Sequence, residues 1–213
     1  SQTLELEKCA WTKAGVRTLS LDSSEFLYTP TKNVESLYHG KKLTGSRERK
    51  DRSEIKFSFK VDSDSANVTI SKGKNGGFTT SLEGKELGET MGDMRNPFCV
   101  YVLGLAGIPT EEKYEVPIAV RKSATRGDSN NYLRNILLTI SKDIVKWDSF
   151  LSSVTSIYEN VKISVIFDED KSEYILVNVK INEVDVPLDM VGTGLLQVIQ
   201  IFAYIEYFKP RLI

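Results

Sequence analysis

The chain has 213 residues, and its 40% hydrophobic and 27% charged content is typical of a globular protein with a buried core. Its 28 Lys and Arg residues nearly balance its 29 Asp and Glu residues, so the net charge of -1 gives no general attraction to nucleic acid or membranes. No apolar run reaches the roughly 18 residues that a membrane-spanning helix needs, and no signal-peptide pattern is present.

The cysteine and histidine content argues against several kinds of site. Cys9 and Cys99 lie far apart without metal-ligand spacing, which suits a reducing cytoplasm. His39 is the single histidine, so neither a histidine-based catalytic triad nor a zinc site is expected. We therefore expect a cytoplasmic protein without a metal site or a membrane partner.

The N-terminal part predicts mainly β-structure. Residues 16–21 suggest a short strand, and apolar and polar residues alternate over 55–61 as in a half-buried strand. Alternation returns at 68–70, and a turn rich in glycine and lysine at 72–77 precedes a further strand at 78–82. These segments predict an antiparallel meander.

The loop between the first two of these strands carries the densest basic cluster. Clustered cations suit contacts to a phosphate backbone. Glu48 and Asp51 interrupt the cluster and no aromatic residue is interleaved with it, which favours an ordinary solvated loop. The candidate nucleic-acid contacts are Lys41, Lys42, Arg47, Arg49, Lys50 and Arg52.

The middle of the chain predicts a buried strand at 98–103 and then two helices. Glu111 and Glu112 follow that strand and are interpreted as exposed loop acids without a catalytic role. Apolar residues fall on one helical face over 132–140, and again over 143–158. The aromatic residues of the second helix are expected in the core.

Residues 161–167 and 175–181 alternate and predict a β-hairpin. Its acidic tip, Asp168 to Asp170, offers carboxylates that could bind a hard cation. The remaining spacing of a calcium loop is absent, so a solvated turn is the favoured interpretation.

The closing stretch begins with a small-residue turn, Gly192-Thr193-Gly194, and continues as an amphipathic helix. Lys209-Pro210 is expected to end that helix, because proline cannot continue it. The last three residues, 211–213, then predict the start of a buried strand. A glycine turn that opens a helix exposes backbone N–H groups and the positive end of the helix dipole, where phosphates bind.

This order of turn, helix, Lys-Pro and strand resembles the signature segment of ABC-type ATPase heads, in particular the SMC-like and OLD-like ATPases of the AAA family. The resemblance implies an α/β fold, α+β in detail, that forms part of a P-loop NTPase head with an antiparallel β meander, a helical subdomain and the signature helix. Residues 1–120 would form a β-rich lobe of the head. Residues 121–213 would form the helical subdomain, the hairpin and the signature helix.

In that family two heads close around two ATP molecules, and each signature turn contacts the γ-phosphate that the other head holds. The resemblance implies that Gly192, Thr193, Gly194 and Gln197 contact ATP in this way, in trans. Glycine stands at position 192, where the family usually has serine, so the hydroxyl would come from Thr193. The full-length parent would be a homodimeric ATPase that uses ATP and Mg, in DNA-related or antiphage-defence work.

The chain contains neither a Walker A sequence nor the Walker B acids. The expectation is therefore that these residues alone hold no ATP or Mg, contain no catalytic residue and hydrolyse nothing. Two alternatives stay open: a non-enzymatic α+β interaction module, and a nucleic-acid-binding module that uses residues 41–52.

Overall fold

The computed structural model has an α+β fold. In the part that it describes, it contains a four-stranded antiparallel sheet, a three-stranded antiparallel sheet and five α-helices. The chain divides into two compact units, residues 1–94 and 95–213. The residues described are 10–22, 25, 33–39, 43–44, 53–73, 76–93, 96–100, 102, 107–125 and 127–213.

The first unit is built on the four-stranded sheet. Its strands are β1 (Val16–Leu21), β2 (Ile55–Val61), β3 (Asp64–Lys72) and β4 (Phe78–Glu83), in the order β1-β4-β3-β2. All neighbouring strands are antiparallel, so the predicted meander of β2, β3 and β4 is confirmed. The strand predicted at 16–21 joins the meander by pairing with β4.

Helix α1 (Lys85–Gly92) follows β4 directly and packs against β3. Sequence analysis did not predict it. Gly84 starts it with a φ of 89°, and a Cβ there would collide with the Ser65 carbonyl oxygen, so only glycine fits. Phe57 was predicted to lie on the half-buried face of β2. This prediction is wrong, because Phe57 is 49% exposed.

Among its described residues the second unit contains four α-helices, α2 (Pro117–Thr125), α3 (Leu133–Ser141), α4 (Ile144–Thr155) and α5 (Thr193–Phe208). The predictions of α3, α4 and α5 are confirmed, whereas α2 was not predicted. Two residues expected on the buried face of the second predicted helix are exposed: Ile144 by 74% and Ile157 by 54%.

The second sheet has the order β5-β6-β7, with β5 (Val161–Ile166), β6 (Leu176–Ile181) and β7 (Val184–Pro187). The predicted hairpin of β5 and β6 is confirmed, and β7 extends it through a tight turn. The sheet's inner face and helices α3, α4 and α5 share one core, which includes Leu133, Ile136, Leu137, Phe150, Val154, Val177, Val179, Ile199 and Ala203.

Helix α5 ends at Phe208, and Lys209 adopts a left-handed conformation with a φ of 46° before Pro210, as the predicted stop requires. The amide of Val100 then donates to the Leu212 carbonyl over 3.0 Å, within an isolated parallel bridge between Cys99 and Leu212. The strands expected at 98–103 and 211–213 are reduced to this bridge among the described residues. The prediction that residues 211–213 are buried is wrong, since Leu212 is 48% exposed.

Candidate functional site

The candidate site is the turn that opens α5. Gly192 is the N-cap residue, with a φ of -59° and a ψ of 144°, and no side chain caps the helix there. The first helical hydrogen bond runs from the Leu196 amide to the Gly192 carbonyl over 3.0 Å. Gly192, Thr193 and Gly194 are all exposed. The turn therefore presents an open helix end to solvent.

The amides of Thr193 and Gly194 have no acceptor within the part of the chain that the structure describes. These N–H groups belong to the first turn of α5, where no carbonyl lies one turn back to receive them. The aligned peptide dipoles of the 16-residue helix add partial positive charge at the same end. Exposed N–H donors with positive potential are suited to a phosphate oxygen.

The two glycines are not explained by backbone conformation, because neither has a positive φ. A Cβ placed on Gly192 would meet nothing within 4 Å, so the fold of this chain tolerates a side chain there. A Cβ placed on Gly194 would lie 3.2 Å from the Tyr158 hydroxyl oxygen. Glycine at 194 thus allows that hydroxyl to approach the helix end.

Tyr158 is a site residue that sequence reasoning missed. It follows α4, and its amide donates to the Val154 carbonyl over 3.0 Å, which holds the end of that helix. Its side chain is 37% exposed, and its hydroxyl makes no hydrogen bond within the described residues. The helical spacing of 143–158 gave this residue no assigned position, because it lies at the end of the pattern and outside its apolar face. Only the packing of α4 against α5 brings the Tyr158 hydroxyl to the turn.

Gln197 lies four residues after Thr193, one helical turn further along α5, and is half-buried. This spacing places Gln197 and Thr193 on neighbouring positions of one helix face. The structure thus places all four predicted site residues in the first turns of a single helix. Their contact with ATP stays a prediction.

A buried polar network leads up to the turn. Glu112 is 4% exposed, and its carboxylate accepts from the amides of Arg134 and Asn135 over 2.8 and 2.7 Å. It therefore caps the N-terminus of α3. The interpretation of Glu112 as an exposed loop acid is wrong, because the structure folds loop 107–115 onto that helix end.

The same network reaches the segment just before Gly192. The Arg134 guanidinium, only 3% exposed, donates to Asp189 Oδ1 over 3.0 Å and to the Pro109 carbonyl over 2.6 Å. Asp189 lies three residues before the turn. Arg134 thereby ties the start of the α5 segment to α3 and to the preceding loop.

Burial raises the pKa of Glu112, and hydrogen bonds from Asn135 and Arg134 partly oppose that shift. Burial likewise raises the pKa of Tyr204, on the inner face of α5. Gln200 lies in the same core, 1% exposed, and neither of its amide atoms has a hydrogen-bond partner among the residues described. Sequence analysis singled out none of these polar groups for burial, although the spacing of Gln200 from Leu196 and Ala203 places it on the inward face of α5.

The other predictions concern nucleic-acid contacts, a metal site and a membrane-spanning helix. The six candidate nucleic-acid contacts, Lys41, Lys42, Arg47, Arg49, Lys50 and Arg52, lie outside the described residues. Among the residues described, no group of three His, Cys, Asp or Glu side chains is arranged to hold a metal ion. In that same part, no helix is long and apolar enough to cross a membrane.

Comparisons of the chain with protein-family models, with curated protein sequences and with solved structures gave no match. The resemblance to ABC-type heads therefore depends on the residues of the closing stretch and, before it, on the order of the elements.

Proposed function

We propose that this chain is part of an ATP-binding ABC-type ATPase of the SMC-like or OLD-like group, and that its Gly192–Gly194 turn contacts ATP held by a partner head. The supporting observation is an exposed, uncapped helix end at which no contact among the described residues requires glycine at 192. Glycine is a common N-cap residue, and without a side chain it also leaves this helix end open to the close approach of an external group.

In this proposal the phosphate receives hydrogen bonds from the amides of Thr193 and Gly194. Hydrogen bonds from N–H groups to a charged phosphate are shorter and stronger than neutral ones. The Tyr158 hydroxyl stands beside the same helix end and supplies an O–H donor that glycine at 192 cannot. Thr193 offers a second hydroxyl, and Gln197 extends the polar surface along α5.

The parent protein would form a homodimer in which each head supplies its turn to the other head's nucleotide and Mg. ATP would then join the two heads, since each nucleotide is completed by groups from both chains. The work of such a dimer would be DNA-related or defensive against phage.

The first test is to sequence the codons that flank this chain in its gene and to express the longer product. We expect a Gly-x-x-x-x-Gly-Lys-Ser/Thr sequence upstream, an Asp-Glu pair downstream and ATP-dependent dimerisation. Absence of both motifs would contradict the proposal. Measurable ATP hydrolysis by the 213 residues alone would also contradict it, because they contain neither motif.

The second test uses Gly192→Glu in the longer product. A carboxylate beside the γ-phosphate should repel it, so dimerisation and hydrolysis should be lost while each head still binds ATP. Gly107→Glu is the matched control, because Gly107 is also exposed and its Cβ would also meet nothing within 4 Å. Unchanged hydrolysis in Gly192→Glu would exclude a contact in trans.

A further inference from the structure

The second unit contains an open cavity of about 300 Å³ that does not include the α5 turn. This volume lies at the lower end of the range of small-ligand pockets. The residues that line it include Arg134, Asp189, Asn178, Tyr174, Leu176 and Pro187. Apolar walls with a few polar groups are the usual composition of a ligand site.

One wall of the cavity is the outer face of β6 and β7. Leu176 and Asn178 alternate with inward residues along β6, and Pro187 lies directly opposite Asn178 in β7. Leu176 is 58% exposed, so its side chain is available to cover an aliphatic chain. This wall therefore offers a hydrophobic strip with one amide group in it.

Arg134 lies at the buried side of the cavity, but its charge is already compensated. Its guanidinium donates to the carbonyls of Pro109 and Thr110 over 2.6 and 3.2 Å, and to Asp189 over 3.0 Å. Three of its five N–H donors are engaged and Asp189 compensates its charge, which disfavours an anionic ligand at this place. Its role is to hold Asp189 in place.

Carboxylates outnumber cations around the cavity. Glu111 and Asp189 line it, and Glu112 lies behind it, bound to the Arg134 amide. Nearby Lys113 is paired with Glu173 at 2.9 Å. With Asp189 set against Arg134 and Glu173 set against Lys113, Glu111 and Glu112 leave the local charge negative, which favours a cationic ligand.

Two groups in the cavity are left with acceptor capacity. Asp189 uses only Oδ1 for Arg134, and its side chain is 25% exposed. The Asn178 side chain has no hydrogen-bond partner within the described residues and is half-buried. Each supplies an oxygen beside the apolar strip.

From these contacts we propose that the cavity binds a primary alkylammonium group. The ammonium donates to Asp189 Oδ2 and to the Asn178 side-chain carbonyl, and its aliphatic stem lies along Leu176 and Pro187. An ammonium is a compact charge with three donors, so it suits separate single oxygens better than the planar fork of a guanidinium does. A free amine and a lysine side chain share this chemistry. The proposal does not depend on the ATPase assignment.

The test is titration of the full chain with n-pentylamine, 1-pentanol and pentanoate, followed by calorimetry and by the NMR signal of the Asn178 amide. We expect the amine to bind at least about tenfold more tightly than the isosteric alcohol, the size expected of one charge-assisted hydrogen bond. Equal binding of the alcohol, or tighter binding of pentanoate, would overturn the proposal.

Asp189→Asn should weaken amine binding by about tenfold or more. Asp185→Asn is its matched control, because it makes the same charge change at an exposed position of β7 outside the cavity and should bind as the wild type does. Asn178→Ala leaves the Arg134–Asp189 pair intact, so it tests the site without disturbing the network. Wild-type amine affinity in both Asp189→Asn and Asn178→Ala would contradict the site.

Nα-acetyl-lysine methylamide distinguishes the two sources of the ammonium group. Binding at least as tight as that of pentylamine supports a lysine side chain of a protein, whereas weaker binding supports a free amine. Failure of both compounds to bind overturns the proposal.

Discussion

Helices α3 and α5 pack against each other. The backbone amides at their N-termini differ in whether they have a hydrogen-bond acceptor among the described residues. At α3 the buried Glu112 carboxylate accepts from two amides over 2.8 and 2.7 Å. At α5 the amides of Thr193 and Gly194 point to solvent without an acceptor in the described structure. One helix end is completed by the chain itself, and the other is left available.

The open end is less favourable for stability than the closed one. Glycine at the N-cap costs roughly a few tenths of a kcal/mol relative to a capping side chain, and glycine within a helix costs up to about 1 kcal/mol relative to alanine. Local departures from good helix design of this kind are expected at functional sites. The comparison therefore assigns a structural role to the α3 end and supports a binding role for the α5 end.

The largest loss of stability is expected when the Glu112 carboxylate that caps α3 is removed. Glu112→Ala would leave two buried amides and the Asn135 side-chain amide without their acceptor, so we expect the free energy of unfolding to fall by roughly 3–5 kcal/mol. Urea unfolding at neutral pH measures it. Glu111→Ala, at an exposed neighbouring position, should change it by less than about 0.5 kcal/mol. Equal losses in the two variants would remove the distinction.

The closed end should also depend on pH. Burial raises the pKa of Glu112 in the folded state above its value of 4.5 in an unfolded chain. The folded state then holds this proton more tightly, and the corresponding stabilisation is fully present below the unfolded pKa and is lost as pH rises through the folded pKa.

Glu112→Gln should remove this part of the pH dependence. We expect the free energy of unfolding of the wild type, minus that of the variant, to decrease as the pH rises from about 4. The difference should then become constant. Urea midpoints at closely spaced pH values measure the decline, with Glu111→Gln as the control. A difference that increases with pH would contradict the direction of the shift.

At the open end, Tyr158→Phe removes one hydroxyl and keeps the ring. Because the hydroxyl makes no hydrogen bond within the described residues, stability should change by less than about 0.5 kcal/mol. In the longer product, loss of one donor to the phosphate should lower ATP hydrolysis by about tenfold. A steady-state assay measures it, and Tyr132→Phe controls for the loss of a tyrosine hydroxyl elsewhere. Full activity in Tyr158→Phe would exclude this hydroxyl from the site.

The smallest change in stability is expected at Gly194, where a double-mutant comparison distinguishes packing against Tyr158 from helix propensity. Alanine there should favour the helix by about 0.5–1 kcal/mol, but its Cβ would lie 3.2 Å from the Tyr158 hydroxyl oxygen. We therefore expect Gly194→Ala to be more stabilising in a Tyr158→Phe background than in the wild type. Thermal unfolding of the four proteins gives the coupling. Equal effects in both backgrounds would show that the hydroxyl does not restrict this position.

Periodicity of apolar residues correctly located the strands of the meander, the hairpin β5–β6 and helices α3, α4 and α5. It missed β7 and the short helices α1 and α2. A four-residue strand such as β7 is too short to show a period, and α1 begins at Gly84, whose conformation depends on the approach of Ser65. Among these elements, α1 depends on a residue that is distant in the sequence, whereas β7 pairs with the neighbouring strand β6.

The sequence by itself determined the candidate turn, because its glycines, the amphipathic helix and Lys209-Pro210 are local features whose effect on the backbone needs no partner. Tertiary structure decided which helix end is open and which is closed. Neither the loop position of Glu112 nor the position of Tyr158 at the end of a helical pattern shows where its side chain packs. Packing buried the carboxylate against α3 and brought the hydroxyl to α5, since both placements depend on contacts between residues more than twenty positions apart.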